Sequence, residues 1–117
     1  MISQYWRYQI PAKPLSIQVN NQDGTEMNLS GYTTIEPVLI GSNNEIVDIS
    51  GYTLNTVSKG SGKIIFFWPT DKSLFQITGD YVLQFKLTGT GKVDYTSTWP
   101  IRVKEAGRID KGNVYYR

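Results

Sequence analysis

Apolar and polar residues alternate with period two along much of this chain, the spacing that places successive side chains on opposite faces of a β-strand. The clearest run is Tyr81-Val82-Leu83-Gln84-Phe85-Lys86-Leu87-Thr88, in which Tyr81, Leu83, Phe85 and Leu87 share one face while Gln84, Lys86 and Thr88 share the other. This predicts a strand with one side buried. Leu15, Ile17 and Val19 alternate with Ser16, Gln18 and Asn20 in the same way, and Tyr95, Trp99, Ile101 and Val103 recur on one parity of the segment Tyr95 to Lys104. Ile17, Leu83, Phe85, Trp99 and Ile101 are therefore expected in the core, with Gln18, Gln84, Lys86 and Arg102 on the opposite faces. Ile64 to Trp68 is apolar on both parities. A central strand covered on both sides, or one lying under the N-terminal segment, would account for it.

Weaker strand signals cover Tyr32 to Ile40, Glu45 to Ile49 and Tyr52 to Val57. Turn-forming residues separate them: Asp23-Gly24, Gly41-Ser42-Asn43-Asn44, Gly60-Ser61-Gly62 and Gly89-Thr90-Gly91. About seven mainly antiparallel strands with turns at such intervals predict an all-β sandwich or small barrel. Thr70 to Phe75, following Pro69, is the one stretch of this body that reads as a helical turn. No internal repeat or low-complexity tract is evident.

The two ends differ from this body. Residues 1–14 carry Tyr5, Trp6 and Tyr8, then Pro11 and Pro14, which suits an extended arm docking through aromatic side chains better than a central strand. Residues 105–117 contain Gly107 and Gly112 before Val114-Tyr115-Tyr116 and read as a connector or docking tail. The expected organisation is an arm at 1–14, a sandwich at 15–104 and a tail at 105–117. Tyr5, Trp6, Tyr8, Tyr115 and Tyr116 are the candidate protein-contact residues, because aromatic anchors carry much of the energy of association.

Composition narrows the chemistry. The chain has 117 residues, enough for one domain with an ordinary core. With neither cysteine nor histidine, it excludes disulfides, thiolate nucleophiles, cysteinyl zinc sites and a Ser-His-Asp triad. Twelve basic against ten acidic residues give a net charge of +2, which calls for no nucleic-acid partner. No run of 18 apolar residues exists for a membrane helix, so no membrane insertion is expected. Lys59-Gly60-Ser61-Gly62-Lys63 lacks the spacing of a phosphate-binding loop, and the aspartates are scattered singly rather than clustered as cation ligands. Neither an enzymatic activity nor a cofactor or metal is expected. The excess lies in aromatics: eight tyrosines, four phenylalanines and three tryptophans make 13% of the chain. Phe66, Trp68, Phe85 and Trp99 lie among apolar neighbours and read as core, although Trp6 and Trp68 are also the candidates for a sugar-stacking platform.

Taken in order, these segments resemble the N-terminal immunoglobulin-like domain of phage baseplate upper proteins and related minor tail proteins of phages and prophages. Leu15-Ser16-Ile17-Gln18-Val19 looks like that family's first strand, and Asn28-Leu29-Ser30-Gly31 stands where the family commonly has Asp-Leu-Thr-Gly. Gly62-Lys63-Ile64-Ile65-Phe66 is similar to its glycine-led middle strand, Gly79-Asp80-Tyr81 to its Gly-x-Tyr strand, and Gly91 with Thr96 to Val103 to its closing hairpin and last strand. The resemblance implies an immunoglobulin-like β-sandwich acting as a structural module of the virion, linking a host-recognition or fibre component to the tail tip. Its implied partners are other tail or baseplate proteins, with self-association as a further option. The alternative is a carbohydrate-binding or host-adhesion module.

Overall fold

Period-two patterning becomes strands where turns let each apolar face meet another. The computed structural model describes residues 2–105, and eight strands lie among them: β1 Ser3–Trp6, β2 Leu15–Gln18, β3 Thr34–Ile40, β4 Thr53–Asn55, β5 Lys63–Phe67, β6 Gly79–Gly89, β7 Lys92–Tyr95 and β8 Trp99–Lys104. They form two sheets. The smaller has the order β2-β5-β4, antiparallel throughout. The larger has the order β1-β8-β6-β3, with β7 beside the second half of β6; its β1–β8 pair is parallel and the others antiparallel.

One core lies between the sheets, the layered arrangement of a β-sandwich. Ile17, Ile64 and Phe66 enter it from the smaller sheet; Leu39, Tyr81, Leu83, Phe85, Leu87, Ile101 and Val103 enter from the larger. Trp99 packs partly buried at the margin, so the expected inward parity holds. Gln18, Gln84 and Lys86 are partly covered and Arg102 is exposed, on the other faces. Along β5 only one side is enclosed: Ile64 and Phe66 are buried, while Phe67 is exposed. The expected two-sided cover is thus absent, and the N-terminal segment meets this region from the inner side, at Trp68.

Three sequence expectations are corrected. Glu45 to Ile49 is not a strand but carries a single antiparallel bridge, Ile40 to Ile46. Thr70 to Phe75 forms no helix because its polar groups are engaged elsewhere: the Ser73 hydroxyl donates to the Gln9 carbonyl (2.7 Å) and accepts from the Phe75 amide (3.2 Å). Tyr95 does not share the inward face of Trp99. Tyr95 stands opposite Lys86 but Trp99 opposite Leu83, so the register slips by one residue across Thr96 to Thr98 and the facing inverts.

A repeat is present as well, contrary to expectation. Residues 19–33 and 39–53 follow the same path at an offset of twenty. Met27 donates its amide to the Val19 carbonyl as Val47 does to Leu39; Asn21 donates to Thr25 as Gly41 does to Glu45. Gly24 and Asn44, at equivalent turn positions, both have positive φ (89° and 64°). Each unit ends in a corner. In Asn28-Leu29-Ser30-Gly31-Tyr32 the Asn28 side chain accepts from the Ser30 amide (2.9 Å), and in Asp48-Ile49-Ser50-Gly51-Tyr52 the Asp48 carboxylate accepts from the Ser50 amide (3.0 Å). Leu29 and Ile49 point into the core, and the tyrosine amide closes back on their carbonyls. These corners carry the chain from the smaller sheet to the larger, then back.

Gly62 shows why one glycine cannot be exchanged. At φ +81° after the 3-10 turn Lys59–Ser61, its absent Cβ would lie 2.4 Å from the Val19 carbonyl oxygen.

Candidate functional site

The five predicted contact residues separate. Tyr115 and Tyr116 lie outside the described residues. Tyr5, Trp6 and Tyr8 sit on or just after β1, which is an edge strand of the larger sheet paired to β8 of its own chain. Alternation along β1 then divides the aromatics. Tyr5 turns inward, stacked on Phe75 (5.1 Å between ring centres) and edge-on to Trp68 (5.3 Å). Burial pushes its hydroxyl above the ordinary tyrosine value. Trp6 turns outward beside Lys104 and is 45% exposed.

After β1 the chain makes a fastened turn. Trp6 donates its amide to the Gln9 side chain (2.8 Å) and its carbonyl accepts from the Gln9 amide (3.0 Å). Tyr8, between them, takes φ +67°, an uncommon conformation for a bulky side chain. Its surroundings fix it there: the Tyr8 amide donates to the Phe75 carbonyl, and the Arg7 guanidinium lies 4.7 Å from the Tyr8 ring centre. Arg7 also donates to the Gln76 carbonyl (3.0 Å) and to Glu105 (3.1 Å). The result holds Tyr8 against its own domain with 57% of its surface in solvent.

Trp68 is 5% exposed, so it offers no platform to a sugar. Its indole Nε1 has no hydrogen-bond partner among the described residues.

Pairing registers disclose a broader surface that the sequence reading missed. On the outer face of the larger sheet, Val82 stands between Ile40 and Pro100, Gln84 beside Val38, and Lys86 between Glu36 and Tyr95. Val38, Ile40 and Val82 are only partly covered, and Pro100 is exposed. Tyr95 and Val93 add two more outward apolar side chains, at 59% and 54% exposure. Trp6 and Ile2 extend the patch toward β1. The result is an apolar band with charged groups at either end. The available signal was the outward parity of these strands, which carries Val38, Ile40 and Val82 where a freely solvated face would carry polar residues.

A cleft of about 560 Å³ opens at the other end of the sandwich, lined by Val19 to Gln22, Met27, Leu87 and Asp94 to Ser97. Asp94 is the carboxylate in that lining, and it is engaged: the Tyr32 hydroxyl donates to it at 2.5 Å, which pushes the Tyr32 hydroxyl above its ordinary value. Lys92 covers the Tyr32 ring at 4.4 Å. This group braces the β6–β7 hairpin against the corner at Tyr32. Comparison with known proteins adds no assignment: no family model matches the chain, and no curated protein matches it.

Proposed function

We propose that this chain is an immunoglobulin-like sandwich serving as a non-enzymatic structural module of a phage tail or baseplate, where it links a host-recognition or fibre component to the tail tip. Two features support the fold reading. The smaller sheet, β2-β5-β4, and the larger one, β3-β6-β8, have the order of the B-E-D and C-F-G strands of an immunoglobulin domain, with β1 added along the last strand. Tyr81, near the start of the F-equivalent strand, bonds through its hydroxyl to the backbone of Ile77, as the tyrosine of an immunoglobulin E–F corner does. Hydrophobic side chains stand where those domains carry a disulfide, since the chain has no cysteine.

The observation that carries the contact role is the outer face of the larger sheet, whose band of Val38, Ile40, Val82 and Pro100 is a surface for protein contact. The virion setting rests on the order of the turn and strand motifs from Leu15 to Lys104. Antibody raised against the domain and applied to purified particles of the producing phage tests it by electron microscopy. Gold label at the tail tip is the expected result. Absence of the protein from washed particles, with ample protein in the lysate, would overturn the reading. So would saturable binding of a host saccharide that Trp6→Ala abolishes.

A further inference from the structure

We propose that the outer face of the larger sheet seats a second copy of this chain, in a two-fold pair whose axis crosses β6 between Val82 and Gln84. The inference rests on reading that face as a protein-contact surface and names its occupant.

The registers make the face a grid. Passing along β6, Asp80 lies beside Arg102, Val82 between Ile40 and Pro100, Gln84 beside Val38, and Lys86 between Glu36 and Tyr95. Asp80 and Arg102 form an exposed ion pair (3.1 Å) at one end. Glu36 and Lys86 face each other across strands at the other end. Between the two charged ends lie Val38, Ile40, Val82 and Pro100, with Gln84 among them.

Two sheets can meet face to face about a two-fold axis running either across the strands or along them. An axis across them, between Val82 and Gln84, brings each strand over its own counterpart with direction reversed. Lys86 then meets the second copy's Asp80, Tyr95 meets its Arg102, and Val38 meets its Ile40, each contact occurring twice as two-fold symmetry requires. Cation meets anion, guanidinium meets an aromatic ring, and aliphatic meets aliphatic. An axis along β6 would instead bring Lys86 onto Lys86 and Asp80 onto Asp80, a like-charge arrangement that costs affinity. Of the two axes that pass through β6, the charges therefore favour the one across the strands.

Its size is sufficient for a reversible pair. At roughly 3.4 Å per residue and 4.8 Å between strands, the larger sheet, with strands of 4, 7, 11, 4 and 6 residues, offers about 500 Å². A standard interface buries about 800 Å² per partner, so this pair falls below that class, among the weak, reversible contacts.

Sedimentation equilibrium of the full chain over a wide concentration range tests the proposal. A monomer–dimer equilibrium is expected. Lys86→Glu alone and Asp80→Lys alone should each weaken the dimer by about tenfold or more, and the double variant should bind several-fold more tightly than either single one, since it restores opposite charges across the interface with their signs exchanged. Pro100→Asp, at an exposed position within the apolar band, should weaken it by a similar factor without depending on the charge swap; far-UV circular dichroism confirms that each variant is folded. A protein monomeric at every concentration overturns the proposal, as does a dimer indifferent to Lys86→Glu and Pro100→Asp, or a double variant no better than either single one. A monomer would leave the tail-module reading intact, and absence from particles would leave the pair intact.

Discussion

Tyr81 closes the loop that feeds the longest strand. Its ring packs edge-on against Phe75, and its hydroxyl donates to the Ile77 carbonyl (2.5 Å) while accepting from the Ile77 amide (3.2 Å). One side chain thus satisfies both polar groups of a residue that no sheet ladder reaches. Tyr81→Phe keeps the ring and leaves those groups without it, so urea unfolding should show a loss of about 1–3 kcal/mol with an unchanged circular dichroism spectrum. Asp48 works at the same scale in the second corner. The Ser50 amide, the Ser50 hydroxyl and nearby Lys72 hold its carboxyl below the ordinary carboxylate value. A depressed carboxylate stabilises the fold above its unfolded pKa, and that stability is lost as pH falls through the folded pKa. Melting temperatures taken from about pH 6 down to about pH 2 should fall less steeply for Asp48→Asn, which retains a side-chain oxygen for the Ser50 amide but cannot titrate.

Among the elements, β1 departs furthest from its sequence pattern. Tyr5 fills a core position between Phe75 and Trp68, and the Gln9 carbonyl accepts from Ser73, so the segment is bound into the domain at both ends. Deleting residues 2–9 should therefore lower the monomer's own melting temperature and expose the Trp68 indole, read as a red-shifted fluorescence maximum; an unaltered melting curve would show β1 to be dispensable. The alternation of β2, β3, β6 and β8 was legible because each buries a single parity. β1 was not, since four residues with prolines to follow give too short a pattern to separate strand from arm. The twenty-residue repeat escaped for another reason: its identity is confined to Ser-Gly-Tyr-Thr after Leu29 or Ile49, whereas its strands enter different sheets and meet different neighbours.

For the whole molecule, the sequence distinguished inside from outside but not one outside from another. Trp6 was visible as a contact candidate from its type and position alone. The band of Ile40, Val82 and Pro100 came into view only when pairing registers placed three separated segments in one row, and Tyr95 joined that face only through the one-residue slip at Thr96 to Thr98.

The parallel β1–β8 pair has a mechanical consequence. Ser3 lies beside Ile101 and Trp6 beside Lys104, so tension drawn toward the N-terminus at one end and through Glu105 at the other runs along both strands in opposite senses. The hydrogen bonds joining them are then loaded together in shear, instead of opening one after another like a zipper. Rupture must break the whole ladder and withdraw Tyr5 from beneath Trp68 in the same event. A domain so wired resists pulling along its chain axis more than its modest size suggests.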